Sequence, residues 1–315
     1  MRLCHHLKKK RDKPSITVLM SIYAGTNPSY FTEALGSVFN QTYLADEHVI
    51  VFDGPCPSEI NGIISDLSAA KEIKNLKRIH LNQNMGLGYA LHQGVKACKG
   101  DFIMRMDDDD ICVPDRIEQQ LIGIMKYPNV DVFGGQIIEF GSNKPPQTRS
   151  VPQTHEGIKR GFGIRNMVNH VTVCMRRSSV LAAGNYDPRA STGFEDYELW
   201  QRMLAGGFLF RNLPNPLVLA RFKCPQLSRR SGFSYLFTEL KLHFDFLLRG
   251  YTTPKIFIVA VVIRFISRLL PRFILQLVYR RILRQPLSEE HENLFWGVMG
   301  KDKKKPKQPK VNKLI

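Results

Sequence analysis

The patterned part of the chain begins with a continuous apolar run at 16–22, bounded by Pro14 and the Ala24-Gly25 turn. An uninterrupted run of that length predicts a strand buried on both faces. Residues 29–40 carry Phe31, Ala34, Leu35 and Val38 at helical spacing. The same alternation then repeats. A strand at 48–52 ends at Asp53-Gly54-Pro55, a helix covers 59–70, and a third strand covers 77–81. The Asn84-Met85-Gly86 turn leads into a helix reaching Cys98, a fourth strand at 101–106 stops at four aspartates, and a helix spans 114–125 with Pro114 in its first turn. Strands alternating with helices predict an α/β fold, with a mostly parallel sheet flanked by helices on both faces.

Sheets of this kind bind ligands at the carboxyl ends of their strands. The polar residues collect there. Ser21 and Tyr23 end the first strand, Asp53 ends the second, Asn84 follows the third, and Asp107-Asp108-Asp109-Asp110 follows the fourth. Turn chemistry alone uses Asp, Asn and Gly, but four such ends on one rim point to a site.

Composition narrows the class. At 315 residues, 43% hydrophobic and 23% charged, the chain is neither disordered nor a small disulfide scaffold. The mean hydropathy of −0.20 argues against a polytopic membrane protein. Six cysteines lack any Cys-x-x-Cys pair, so they read as free thiols rather than a zinc site.

The net charge of +17 is unevenly placed. Residues 15–250 hold 25 basic against 23 acidic side chains, so the catalytic-sized part is nearly neutral. The excess sits in 1–14, in 251–286, which has seven basic residues and no acid, and in 301–315, which has seven lysines and one aspartate. Such ends call for a polyanion outside the main fold.

The four adjacent carboxylates are the strongest chemical signal. They repel one another, and a hard divalent cation resolves the repulsion while bridging to substrate phosphates. Asp107 and Asp109 point the same way along an extended segment and can converge on one ligand. A solvated acidic loop is the alternative, with Asp110 near the cap of the next helix. A second acidic pair, Glu195-Asp196, opens an amphipathic helix to about Leu204. It reads either as a complement to the helix dipole or as a general base held at a helix start.

These residues together resemble the family 2 glycosyltransferases of the GT-A fold. Thr17-Val18-Leu19-Met20-Ser21-Ile22-Tyr23 is similar to that family's first strand, and Ser37-Val38-Phe39-Asn40-Gln41-Thr42-Tyr43 to its S-x-x-x-Q-T-Y segment. Asn84-Met85-Gly86 is similar to its Asn-x-Gly turn. Met106 through Asp110 with Pro114-Asp115-Arg116 resembles its D-x-D-D and P-x-R. Glu195-Asp196-x-x-Leu199-Trp200-x-Arg202 resembles its E-D-x-x-L-W-x-R motif, and Leu219-Ala220-Arg221-Phe222 its trailing strand. Six motifs in this order, from about Pro14 to Ser231, are specific. Within the family the likeness is to bacterial exopolysaccharide and lipopolysaccharide sugar transferases of the amylovoran type.

The resemblance implies an inverting, metal-dependent transferase that moves a sugar from a nucleotide-sugar donor (UDP- or GDP-sugar) to a lipid-linked saccharide. It implies that Ser21, Tyr23, Asp53, Asn84 and Asp107 bind the donor nucleotide. Asp109, with Asp107, would hold Mg²⁺ or Mn²⁺. Asp196 would be the base, with Glu195 second, and Arg202, Arg221 and His170 would lie on the acceptor or diphosphate side. Two departures stand out: Asp53 follows Phe52 where two aspartates are common, and Ala220 sits where an aromatic residue is common.

The basic C-terminal region forms a pattern of its own. Arg264, Arg268, Arg272, Gln276, Arg280 and Arg284 recur every four residues between apolar ones, with Pro271 placed to kink the helix. A cationic stripe opposite an apolar face fits an interfacial helix on anionic lipid. The expected organisation is therefore a basic arm at 1–14, a GT-A domain at 15–250, a membrane-associating helical segment at 251–300 and a disordered Lys-rich tail at 301–315. The expected location is the cytoplasmic face of the bacterial inner membrane, as a peripheral protein, with no nucleic acid bound. The competing readings are a membrane- or polyanion-binding adaptor and a metal-dependent phosphohydrolase. The latter usually wants Thr or Val two places after its second Asp, where this chain has Ile111.

Overall fold

The computed structural model describes residues 13–141, 145–189, 193–222, 233–269 and 284–300. Its first half follows the expected alternation: β1 (Ile16–Tyr23), α1 (Pro28–Phe39), β2 (Glu47–Asp53), α2 (Glu59–Ala70), β3 (Leu76–His80), α3 (Leu87–Ala97), β4 (Phe102–Met106) and, after a two-residue β5 (Ile111–Cys112), α4 (Arg116–Lys126). The helix after the acidic run starts at Arg116, two residues beyond Pro114. The second half comprises β6 (Val132–Phe140), β7 (Gln147–Arg149), α5 (His155–Phe162), a 3₁₀ turn (His170–Thr172), β8 (Cys174–Arg176), α6 (Arg177–Ala182), α7 (Glu195–Ala205) and β9 (Phe210–Arg221). It closes with α8 (Phe233–Leu248), α9 (Pro254–Leu269), β10 (Gln285–Pro286) and α10 (Glu289–Met299).

Strands β3, β2, β1 and β4 are mutually parallel and form one half of a ten-stranded sheet. Beyond β4 the sheet becomes mixed: β8 pairs antiparallel with β4 and β6, and β9 runs parallel to β6. The two-fold alternation of the strands divides the core. Ile16, Val18, Met20 and Ile22 of β1 and Phe102, Met104 and Met106 of β4 pack under α1, α2 and α4. Leu19, Val49, Val51 and Ile103 face the other way, toward α3, α5 and α7. Arg105 lies two places after Ile103, so it too projects toward the α7 side, buried at 3% exposure.

The parallel register sets the rim. Tyr23 pairs with Asp53, and Met20 with Met106, so β1, β2 and β4 end on the same side of the sheet. Two of the sequence motifs turn out to brace that rim. Gln41 donates to the carbonyl of Val113 at 2.8 Å and accepts from the Ile117 N–H at 3.1 Å, tying α1 to the start of α4. Arg116 is fully buried and donates to the Arg105 carbonyl at 2.9 Å, directly under the acidic run.

Two members of the expected arginine stripe are paired inside the fold. Arg264 is buried, ion-paired with Glu239 at 2.9 Å and bonded to the Ile164 carbonyl at 3.0 Å. Arg284 is buried against Glu139 at 2.6 Å. Each guanidinium has found a carboxylate inside the fold, where an unpaired charge would be costly. The side chains of Arg268, Arg272, Gln276 and Arg280 lie outside the described residues, as do Pro271, residues 1–12 and the tail from 301. Among the described residues, no helix is long and apolar enough to cross a membrane.

Candidate active site

The second strand end is built on backbone N–H groups. Asp53 is buried, and its carboxylate accepts from Met85 N–H at 2.7 Å and Gly86 N–H at 2.9 Å. Gly54 makes this approach possible: its φ of +80° is left-handed, and a Cβ there would stand 2.5 Å from the Asn84 nitrogen. Asp53 thus fixes the 84–86 turn against β2, with both carboxylate oxygens engaged. Asn84 is exposed, and its side-chain oxygen accepts from Gly86 N–H at 3.1 Å. Beside them Tyr23 is partly exposed, its ring folded over Gly25, where a Cβ would meet it at 2.6 Å.

The acidic run divides into distinct environments. Asp107 receives both terminal nitrogens of Arg105, one at 2.6 Å, in a bidentate pair. Asp108 accepts from the Thr26 hydroxyl, which in turn accepts from Tyr23 N–H at 3.0 Å. Asp110 is buried and accepts from Arg221 N–H at 2.6 Å. Burial, followed by the charges of Asp107 and Asp109, pushes its carboxyl well above the usual range. Asp109 presents its backbone carbonyl to Arg221 Nε at 3.0 Å.

Glu195 and Asp196 stand in the first turn of α7. Asp196 is half-buried; one carboxylate oxygen accepts from Asn166 Nδ2 at 2.7 Å and the other from Tyr197 N–H at 2.8 Å. Glu195 is 6% exposed, and burial together with the adjacent Asp196 charge raises its carboxyl to about 7. Arg105 partly offsets that rise and Asp107 adds to it, which brings the acidic strand end and the α7 pair into one electrostatic cluster. Tyr186 closes the cluster: its hydroxyl meets His170 Nε2 at 2.9 Å, and it feels the charges of Arg105, Asp196, Glu195 and Asp107. His170 sits in the 3₁₀ turn rather than on a strand. Burial, reinforced by Arg105, holds its imidazole neutral.

The three residues expected on the acceptor or diphosphate side each have protein partners. Arg202 pairs with Glu198 at 2.7 Å and donates to the carbonyls of Ala183 and Asn185, so all three guanidinium nitrogens are engaged. Arg221 pairs with Glu33, lies over the Tyr30 ring at 4.1 Å, and anchors the acidic run. His170 is bonded to Tyr186. Sequence reasoning missed Arg105, Asn166, Tyr186 and Thr26. Only Arg105 left a trace, as a cation inside an otherwise apolar strand.

The acidic rim suits a hard cation carried with a diphosphate. Among the described residues no group of three or more His, Cys, Asp or Glu is arranged to hold a metal by itself. Mg²⁺ ordinarily takes one or two protein carboxylates and completes its shell with water and substrate phosphate, and Asp107 and Asp109 are donors of that kind.

The family model described as Glycosyl transferase family 2 matches residues 17–183, which hold the whole parallel half of the sheet and the acidic run. This chain belongs to glycosyltransferase family 2. It is 37% identical over 274 residues to an uncharacterized glycosyltransferase of Haemophilus influenzae, covering 85% of this chain and 99% of that one. It is 32% identical to the UDP-Gal:alpha-D-GlcNAc-diphosphoundecaprenol beta-1,3-galactosyltransferase of Escherichia coli (87% and 98% covered). It is 31% identical to the amylovoran biosynthesis glycosyltransferase AmsE of Erwinia amylovora (84% and 98%). The family 2 fold is that of GT-A enzymes such as S. aureus TarS. TarS 1–349 with UDP-GlcNAc superposes at a TM-score of 0.59, with 17% identity, over 90% of this chain and 79% of that one. This chain spans about half, 48%, of the longer TarS chain. The mannosyltransferase PcManGT of Pyrobaculum calidifontis, with GDP-Man and Mn²⁺, gives 0.54 with 14% identity over 79% and 68%.

Proposed function

We propose that this glycosyltransferase moves a sugar, with inversion, from a nucleotide-sugar donor to a lipid-linked saccharide during assembly of a bacterial exopolysaccharide, capsule or lipopolysaccharide. The observation that carries the reading is that Arg105, bound to Asp107 through both terminal nitrogens, also acts on the charge of Glu195, so the acidic run and the α7 carboxylate pair are electrostatically linked. The diphosphoundecaprenol-linked acceptor named for the E. coli relative supports the acceptor class.

In this reading the nucleoside lies along the β1 and β2 ends, near Ser21 and Tyr23, on the floor that Asp53 builds with the 84–86 turn. Asp109 and Asp107 would hold Mg²⁺ or Mn²⁺ against the diphosphate; when bound, the cation supplies positive charge to the departing nucleoside diphosphate. Asp196 accepts the proton of the acceptor hydroxyl as the new glycosidic bond forms at the anomeric carbon. Attack comes from the face opposite the leaving group, and this gives inversion. Asn166 and the Tyr197 N–H orient the Asp196 carboxylate for this task. Glu195, more deeply buried, is the second candidate base.

On this reading the enzyme works as a peripheral protein at the cytoplasmic face of the inner membrane, where it would reach a lipid-linked acceptor. The test of the reading is nucleoside diphosphate release across a panel of UDP- and GDP-sugars with Mn²⁺, using a diphosphoprenyl-linked sugar as acceptor. Release that requires both one donor and the lipid-linked acceptor supports it. A protein that binds no nucleotide sugar under any metal refutes it.

A further inference from the structure

The described residues expose fourteen large apolar side chains, and nine of them lie on the α8–α9 hairpin. On α8, Phe237, Phe244 and Leu248 share one face, with exposed Lys241 in the same line. On α9, Ile258, Val259, Val262, Ile263, Phe265 and Ile266 cover the outward side. The Phe244 and Phe257 rings, 6.3 Å between centroids, join the two helices into one surface. Leu236, Phe246 and Ala260 point inward, and the Arg264–Glu239 pair locks the hairpin to itself. This is a structured apolar face, too large and too concentrated to be scattered surface residues.

Its chemistry selects an occupant. Protein interfaces favour aromatic residues, Met and Arg at their centres and deplete Lys. This face exposes Ile, Val, Leu and Phe without Tyr, Trp or Met, and Lys241 and Lys255 are exposed around it; 251–286 holds no acidic residue, and Asp245 on α8 is paired with Arg249 at 2.8 Å. Apolar residues rimmed by lysine match the acyl-chain boundary and headgroups of an anionic bilayer. Helix α9, at 16 residues, is too short to span.

We propose that the α8–α9 hairpin docks on an anionic lipid bilayer, with Phe237, Phe244, Leu248, Ile258, Val262 and Ile266 among the acyl chains and Lys241 and Lys255 at headgroup level. The proposal rests on the enzyme working at a membrane surface and changes how it is held there. The contact is carried by an apolar hairpin, while Arg264 and Arg284, the first and last members of the arginine stripe, are paired inside the fold. It also brings in α8, which precedes the basic segment.

The test uses the full chain and sedimentation with vesicles of phosphatidylcholine alone or mixed with phosphatidylglycerol. A triple variant, Phe237→Ser/Ile258→Ser/Ile266→Ser, is compared with Leu44→Ser/Met125→Ser, which removes equally exposed apolar groups elsewhere. The hairpin variant should partition onto anionic vesicles about tenfold or more weakly. The control should bind as wild type, and bound wild type should survive high salt in part, because apolar insertion is not screened. Donor turnover without lipid should be unchanged in the triple variant. Docking through this face is overturned if wild type ignores both kinds of vesicle, or if the triple variant binds as wild type. It is also overturned if the variant instead abolishes a dimer seen by light scattering, which would assign the face to a second copy. Should nucleotide-sugar turnover be absent while vesicle binding still follows the hairpin, the transferase reading fails and the docking surface stands.

Discussion

Arg105 reaches two positions along its own strand end to grip Asp107 with both terminal nitrogens, and from its buried position its charge also acts on Glu195. One cation therefore acts on both acidic segments, the run at 107–110 and the pair at 195–196. Removing it leaves like charges facing each other without a shared counter-charge.

Arg105→Met should lower kcat/KM by about 100-fold, in line with the loss of a partly buried, charge-assisted pair of roughly 1.5–3 kcal/mol. Arg105→Lys should recover only part of this, because one ammonium cannot hold both Asp107 oxygens. Steady-state kinetics with donor varied, alongside thermal melts, would separate the effect from misfolding. Equal activity in both variants would remove Arg105 from the site.

The raised carboxyl of Glu195 has a definite sign. Its folded value of about 7 lies above the ordinary 4.5, so the folded state binds protons more tightly than the unfolded one. Stability is therefore lost as pH rises from 4.5 through 7. Glu195→Gln should raise Tm by a few degrees at pH 8 and by much less at pH 5. A pH-independent gain would place Glu195 in an ordinary carboxylate environment.

His243 works in the opposite direction. Both ring nitrogens are buried without hydrogen-bond partners among Tyr197 and Phe246, and burial lowers the imidazole to about 3. Full stability is present above 6.5 and declines as pH falls toward 3, by about 1.4 kcal/mol per unit at most. His243→Phe should gain more Tm at pH 5 than at pH 7.5. Calorimetry at the two pH values decides it.

Arg202 belongs to the scaffold in this account. Arg202→Met should cost about 1–3 kcal/mol of stability while the folded enzyme keeps kcat and donor KM within about twofold. A collapse of kcat in a variant that still melts cooperatively near the wild-type temperature would return Arg202 to the substrate.

The parallel half of the sheet was legible because its signals are local. Apolar runs, helical spacing and turn residues placed β1 to α4 within a residue or two, and α2 matched at 59–70. The polar residues at strand ends marked the rim for the same reason. The rest depends on contacts between residues far apart in the chain. Arg264 and Arg284 fit a lipid-facing stripe until Glu239 and Glu139 claim them. Arg202 and Arg221 read from the sequence as residues of the acceptor or diphosphate side, and their carbonyl and carboxylate partners come into view only in the fold. Gln41 and Arg116 sit in motifs that read as functional and prove to be braces under the acidic run. Arg105 escaped notice because its role depends on which face of β4 meets α7.

The proposed mechanism divides donor binding and proton removal between the two acidic segments. It is tested most directly by measuring donor affinity and sugar transfer in Asp109→Ala and Asp196→Asn. Asp109→Ala should lose metal-dependent donor binding. Asp196→Asn should bind the donor as wild type does yet transfer about 10²–10⁴-fold more slowly, the usual contribution of a general base. Transfer by Asp196→Asn at the wild-type rate, with Glu195→Gln inactive, would contradict the assignment of the base; transfer unimpaired in every one of these variants would contradict the site itself.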